Sequence, residues 1–337
     1  MTDRRDKEEG AVLLTTLLVM GIMAALAVSI IDQVRFAVKR AGNVQAYAQA
    51  DWYMRGAEDF AQQYIEDQIE NVKGEQLNEI LRSGVPVILP IEGGAITLSV
   101  RDGGQCLSLN SVAGKGQGSI MLRQLLESVG WDSIDAARQT PIIQDWVDEN
   151  SDTLPGGAED FTYLGQSPAY RTPNAPFTSI SELRLIEGMT EEKYQRLRPF
   201  VCARAPSTSD DPDSIDQNSQ ININSLSQAQ APILASILGG FDHLQRAEQL
   251  ILDRPSGGYQ DDSFKKAALD DEEEEGDILT SFVAYEPNYL WVEARVEYLT
   301  ASRIAAYEFS IDNGRVTRLY RGTGEEALRP ILKSETP

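Results

Sequence analysis

The hydrophobic pattern changes period several times along the chain, and its longest feature comes first. Residues Ala11 to Ile31 read AVLLTTLLVMGIMAALAVSII, 21 positions without a charge. At ~1.5 Å per residue such a helix is about 31 Å long, which matches the hydrocarbon core of a bilayer. Beyond it the pattern turns periodic. Val34, Val38, Ala41, Val44, Ala48 and Trp52 recur at three- and four-residue steps, and Tyr53, Ala57, Phe60, Ala61, Tyr64, Ile65 and Ile69 carry the stripe on. That is one face of an amphipathic helix. No proline stands between residues 11 and 85. The pattern predicts one helix from about Ala11 to Val72, its first third in lipid and its remainder packed on a folded domain.

A period of two follows. Residues 85–100, VPVILPIEGGAITLSV, predict a β-hairpin turned at Gly93-Gly94. Further strands are expected over Ile278 to Ala284, Tyr289 to Leu299, Arg303 to Ile311 and Arg315 to Arg321, with Asn313-Gly314 as a hairpin signal between the last two. Between these strands the period is helical. Helices are expected over Ser119 to Val129, Ile134 to Gln139, Ser181 to Ile186, Glu191 to Leu197, Ala231 to Leu238 and His243 to Asp253. Another should open at Pro141, which suits a first helical position, and run to about Glu149. The expected class is α+β: a long N-terminal helix packed on an antiparallel sheet, with a large all-helical insert. The pieces around Gly188 and Gly239-Gly240 resemble helix-hairpin-helix (SAM-like) units. A weak repeat, Ser108-Leu109-Asn110-Ser111-Val112 against Asn222-Ile223-Asn224-Ser225-Leu226, precedes two of the helical stretches, where Ser111 and Ser225 could cap helices.

Charge narrows the function. There are 30 basic and 52 acidic side chains, a formal net charge of −22. That field repels phosphate backbones, and Glu187, Glu191 and Glu192 crowd the first hairpin, so no nucleic-acid partner is expected. His243 is the one histidine. No GxSxG, P-loop or zinc motif appears, and so many acids guarantee chance carboxylate pairs, so the chain does not read as an enzyme. Calcium is a better use of the acids. Asp145, Asp148, Asn150, Asp152, Glu159 and Asp160 gather hard oxygens around the Pro155-Gly156-Gly157 turn. Four of them follow EF-hand ligand spacing, but Thr153 stands where that loop needs glycine. Asp210, Asp211, Asp213 and Asp216 form a weaker group. The run Asp270 to Glu275 predicts a disordered loop over 254–277. Cys106 and Cys202 are the only cysteines. In an exported domain they most simply form one disulfide, and otherwise they are two buried thiols.

The N-terminus carries a family resemblance. Glu8, Glu9 and Gly10, followed by Ala11-Val12-Leu13-Leu14-Thr15, resemble a type IV prepilin signal. The resemblance implies cleavage between Gly10 and Ala11 by a prepilin peptidase and N-methylation of Ala11. Two residues depart from the common pattern: Ala11 replaces phenylalanine, and Thr15 replaces glutamate. The missing glutamate and the large helical insert together resemble the K-type minor pseudopilins of type II secretion systems. The motifs Asp145-Trp146-Val147-Asp148, Gly157-Ala158-Glu159-Asp160, Tyr170-Arg171 and Ser179-Ile180-Ser181-Glu182-Leu183 agree, and the likeness covers about residues 8 to 320. It implies a leader (1–10), a transmembrane segment (11–31), a pilin-like domain (32–109 and 278–322), a helical insert (110–253), the acidic loop (254–277) and a flexible tail (323–337). It also implies calcium in the insert, anchorage in the bacterial inner membrane with the C-terminal domain in the periplasm, and three partners. These are minor pseudopilins of the I and J types, the prepilin peptidase and the inner-membrane secretion platform. The chain would form a tip complex that primes the pseudopilus for protein export. Basic residues flank the apolar segment on both sides (Arg4, Arg5 and Lys7; Arg35, Lys39 and Arg40), so charge alone does not orient it. Two rival expectations are a minor pilin of a type IV pilus and an uncleaved, membrane-anchored periplasmic binding protein.

Overall fold

A computed structural model describes residues 3–72, 74–112, 116–204, 220–268, 280–312 and 314–329. Asp210, Asp211, Asp213 and Asp216, the run Asp270 to Glu275, Asn313 and residues 330–337 lie outside them.

Helix α1 runs unbroken from Asp3 to Asn71. It starts before Ala11 because the leader is built of helix-tolerant charged residues and one glycine does not stop a helix. Residues 12–31 are exposed on every side. Among the described residues, α1 is the one helix long and apolar enough to cross a membrane. Its later half packs on the folded domain through Ala46, Ala50, Met54, Ala57, Ala61 and Ile65, all buried. Ala57, Ala61 and Ile65 belong to the expected stripe, whereas its earlier part does not make the contact. Val34, Val38, Val44 and Trp52 face outward, and small alanines make the sheet contact instead, because they let a helix backbone approach closely.

A short helix α2 (Gly74–Ser83), not foreseen, lays Leu77 and Leu81 into the same core. Strands β1 (Val87–Ile91) and β2 (Gly94–Asp102) form the expected hairpin. Its two loop residues are Glu92 and Gly93 rather than Gly93 and Gly94. Gly93 has φ 85°. Gly94 already lies in β2, where a Cβ would collide with the Glu297 carbonyl oxygen.

The insert begins with β3 (Leu107–Ser108), α3 (Gln117–Ser128), α4 (Ser133–Val147), α5 (Asp160–Leu164), α6 (Glu191–Leu197) and β4 (Val201–Cys202). It continues with β5 (Ile221–Asn222), α7 (Ala231–Leu238), α8 (Leu244–Leu252), α9 (Asp261–Ala268) and β6 (Val283–Ala284). Three expectations change here. Pro141 sits inside α4 instead of opening a new helix. The helix survives because Ala136, Ile142, Ile143, Trp146 and Val147, on both sides of the proline, share one core. The Thr140 hydroxyl also donates to the Ala136 carbonyl at 2.9 Å. The expected loop over 254–277 contains α9, anchored by the fully buried Phe264 against Tyr259. Of the expected strand Ile278 to Ala284, residues 278–279 lie outside the described residues, and the rest does not join the main sheet: Thr280–Phe282 is a 3-10 turn, and Val283–Ala284 pairs parallel with β5. The insert core therefore reaches past 110–253, taking in Leu107, Leu109, Tyr259, Phe264, Phe282 and Val283.

The chain then returns as β7 (Tyr289–Tyr298), β8 (Ala301–Asp312) and β9 (Arg315–Thr323). The five-stranded sheet has the order β1-β2-β7-β8-β9 with antiparallel neighbours throughout. The pairing of β2 with β7, Gly94 opposite Tyr298 and Asp102 opposite Leu290, closes the sheet around the insert. Leu98, Val292, Val296, Ala305, Tyr307 and Phe309 fill its α1 face.

This register fixes where the insert hangs. The β1–β2 and β7–β8 turns meet at one end of the sheet, where Leu299 N donates to the Gly93 carbonyl and Thr300 donates to Asn43 of α1. The insert leaves from the other end, between Asp102 and Tyr289. Because α1 runs from its apolar third towards that end, the insert sits at the extremity furthest from the apolar segment.

Candidate functional site

Three regions carry candidate chemistry: the start of α1, the acidic turn after α4, and the junction of insert and sheet. Gly10 and Ala11 lie within α1. Thr15 donates its hydroxyl to the Val12 carbonyl at 2.9 Å. A polar group satisfied by its own helix needs no partner in lipid, which a buried glutamate would. Further along, Phe36, Val38, Val44 and Trp52 stand exposed on α1. Their exposure exceeds 60% each. Exposed large apolar side chains on several sides of a helix outside its own folded domain are of the kind that mark a packing surface. Ionic contacts lock α1 to the sheet: Asp51 to Arg303 at 2.5 Å, and Glu58 to Arg318 and Arg321.

At the acidic turn the structure draws the six predicted ligands into unequal roles. Asp145 is wholly buried and accepts from the backbone N–H of Leu154 at 3.2 Å. Burial pushes its carboxyl above the ordinary range, and the nearby Asp148 charge pushes it further. Glu159 is also buried and raised, by burial first and then by Asp145 and Asp148. One Glu159 oxygen accepts from Thr172 at 2.8 Å, and Oε1 has no partner. Gly157 is required here, since a Cβ would run into the Asp145 carboxylate. Asn150 and Asp152 are exposed, and the turn is held locally: Asp148 accepts from the backbone N–H of Asn150 at 3.2 Å, and Asn150 Oδ1 accepts from the backbone N–H of Asp152 at 2.7 Å. Asp160 turns away to Arg171 and Thr172. Among the described residues no three acidic, histidine or cysteine side chains converge at ligand distance. Asp145, Asp148 and Glu159 share one field without a cation to answer it.

At the junction, Cys106 and Cys202 are joined by a disulfide across 96 residues. It lies beside the parallel pairing of β3 with β4, whose register sets Ser108 opposite Cys202. Two residues on, the fully buried Arg204 sends Nε to Glu308 Oε1 at 3.1 Å and contacts the Gly103 carbonyl and Cys106 Sγ. Arg329 reaches the same Glu308 oxygen and the same carbonyl, each at 3.0 Å. The two guanidinium groups stack on Tyr289 and Trp291. Sequence inspection missed this cluster, because Arg204 and Glu308 lie 104 positions apart and no local pattern links them.

The weak repeat marks a real duplication. Asn110 gives and takes hydrogen bonds with the backbone of Phe177 and also donates to the Arg204 carbonyl. Asn224 does the same with Tyr259 and donates to the Tyr285 carbonyl. Each asparagine closes a unit bounded by a two-residue parallel pair, and α3 of the first unit packs on α7 of the second. Ser111 and Ser225 do not cap following helices. Both donate back to carbonyls three residues earlier.

Comparison with known proteins gives a consistent result. A family model described as "Type II secretion system (T2SS), protein K" matches residues 105–206, and a second of the same description matches 221–270. These matches coincide with the two units. Type II secretion system protein K of Pectobacterium carotovorum is 30% identical over 265 residues, covering 76% of this chain and 78% of the relative. The protein of that name from Klebsiella pneumoniae is 30% identical over 263 residues, covering 75% and 77%. A solved chain from the GspK-GspI-GspJ complex of enterotoxigenic Escherichia coli shares the fold, with a TM-score of 0.69 at 24% identity, over 85% of this chain and 99% of that one.

Proposed function

The chain belongs to the protein K family of type II secretion systems, and from that premise we propose that it is the minor pseudopilin at the tip of a periplasmic pseudopilus. The observation that carries this reading is the position of the insert. Pilin-like subunits stack through their long helices, so each subunit within a filament has neighbours towards and away from the membrane. Here a second domain, larger than the sheet, occupies the end furthest from the apolar segment, and only a terminal position leaves room for it. Its work is assembly rather than catalysis.

The exposed apolar side chains Phe36, Val38, Val44 and Trp52 of α1 are the contacts for partner helices. Those partners are minor pseudopilins of the I and J types, by analogy with the complex that contains the structural neighbour. The apolar third of α1 anchors the chain in the inner membrane, with the folded part in the periplasm, where the disulfide is stable. Contacts with the secretion platform follow from that placement. The acidic turn is a calcium site, with Asp145, Asp148 and Glu159 as its centre and Asn150 and Asp152 at its rim. Two features support it: a wholly buried carboxylate and the orphaned Glu159 Oε1. A bound cation would neutralise the shared negative field and tie α4 to α5.

Processing is the direct test of the class. Co-expressed with a prepilin peptidase, the full-length chain should yield a mature protein starting at Ala11 with one added methyl, read by intact mass and N-terminal sequencing. An uncut chain points to a membrane-anchored binding protein instead.

A further inference from the structure

Two cavities follow the seam between sheet and insert. The larger, about 410 Å³, is lined from one side by α2 and β2 and from the other by residues 225–230. A smaller one, about 30 Å³, continues it, and the two share Arg101, Gln105, Pro199 and Gln230. The floor is polar and satisfied. Gln105 donates to the Ser225 carbonyl at 2.5 Å, and Gln230 donates to Gln105 Oε1 at 3.1 Å.

The charges along this seam do not balance. Two acids line the seam: Glu293 in the larger cavity, already held by Arg101 and Trp291, and in the smaller one the buried Asp102, which accepts from Gly104 N and Asn222 Nδ2 and whose carboxyl burial pushes up. Arg82 is exposed at the rim and makes no ion pair with a described residue. Behind the wall, Arg254 donates to the carbonyls of Asn224 and Leu226, while its buried Nε has no partner. Burial pulls the Arg254 pKa down to about 10, with the Arg82 charge as the next contributor. The two guanidinium groups lie close enough for each to feel the other's charge. At the far end, Arg198 gives one nitrogen to the Leu328 carbonyl, and its buried Nε too is unpartnered.

We propose that this cleft binds an acidic segment of a partner protein, laid along the seam with one carboxylate at Arg82 and another towards Arg198. An extended peptide fits better than a lone small anion, because the cations stand at both ends of an elongated, amide-floored groove. The net charge of −22 does not forbid this. At physiological salt the Debye length is about 8 Å, so remote carboxylates are screened while contacts in the cleft persist. The proposal is independent of the tip position.

The test uses the full chain in detergent micelles and a fluorescein-labelled hexaglutamate peptide, read by anisotropy. The expected result is saturable binding that Arg82→Glu weakens by about tenfold or more. Arg82→Lys should retain it, and inorganic phosphate at matched ionic strength should compete poorly. Arg82 is exposed, so neither variant endangers folding, and a melting curve confirms this for each. Three results overturn the proposal: no saturable binding at millimolar peptide, equal affinity in Arg82→Glu, or phosphate competing as well as unlabelled peptide.

Discussion

Glu308 shows how one residue can hold two domains. It lies on β8, 4% exposed, and neutralises Arg204 from the insert and Arg329 from the chain end. Glu308→Gln keeps the shape and removes the charge, leaving the buried Arg204 guanidinium and the part-buried Arg329 guanidinium without it. Breaking such a buried network costs about 3–5 kcal/mol. For a chain of this size that lowers the melting midpoint by on the order of 10 °C. A fall of only a degree or two would show that the arginines are solvated in solution. Asp145 invites a different experiment. A ligand that binds only the folded state raises its midpoint. Millimolar Ca²⁺ should therefore raise the midpoint of the parent chain relative to chelator, and Asp145→Asn should remove the difference. An unchanged parent midpoint would eliminate the site.

Among elements, α1 carries the clearest packing rule. Ala50, Ala57 and Ala61 are completely buried against the sheet. Ala57→Leu adds three carbons where there is no space, and overpacking of this kind costs about 1–3 kcal/mol. Gly56, one position earlier, is exposed with open space beyond its Cα, so Gly56→Ala should stabilise by about 0.5–1 kcal/mol. Opposite signs at adjacent positions, measured as melting shifts, check the orientation of the helix; equal signs would contradict it. The long elements were legible in the sequence because their periodicity is sustained. Helix α1, the hairpin of β1 and β2, and strands β7 to β9 all fall close to their expected bounds. What misled was local. Pro141 reads as a helix start, yet a core shared on both sides of it carries α4 through. Phe264 is a single anchor in a polar stretch, too little for periodicity to register. Ile278 to Ala284 has the composition of a strand, but β2 and β7 pair directly, and its described part, 280–284, lies outside the main sheet. The Asn110 and Asn224 clamps were visible as a repeat, while their function depends on backbone partners that only the fold supplies.

For the whole molecule, the sequence and the fold agree on a long helix with an apolar third, a sheet that receives its later half, and a large helical insert; its duplication and its place at the far extremity come from the fold. The acidic turn was legible as a cluster, though not in its division of labour: Asp160 belongs to Arg171, and Asp145 is the buried centre. The arginines at the seam were invisible, since Arg82, Arg198 and, behind its wall, Arg254 lie far apart in the sequence. The central claim is that this subunit ends a filament. Photo-crosslinkers placed at Val38 and Val44 of α1, both more than 60% exposed, test it within assembled pseudopili. The account predicts crosslinks to subunits on the membrane side and to flanking minor pseudopilins only. Crosslinks to subunits both above and below the same chain would contradict it.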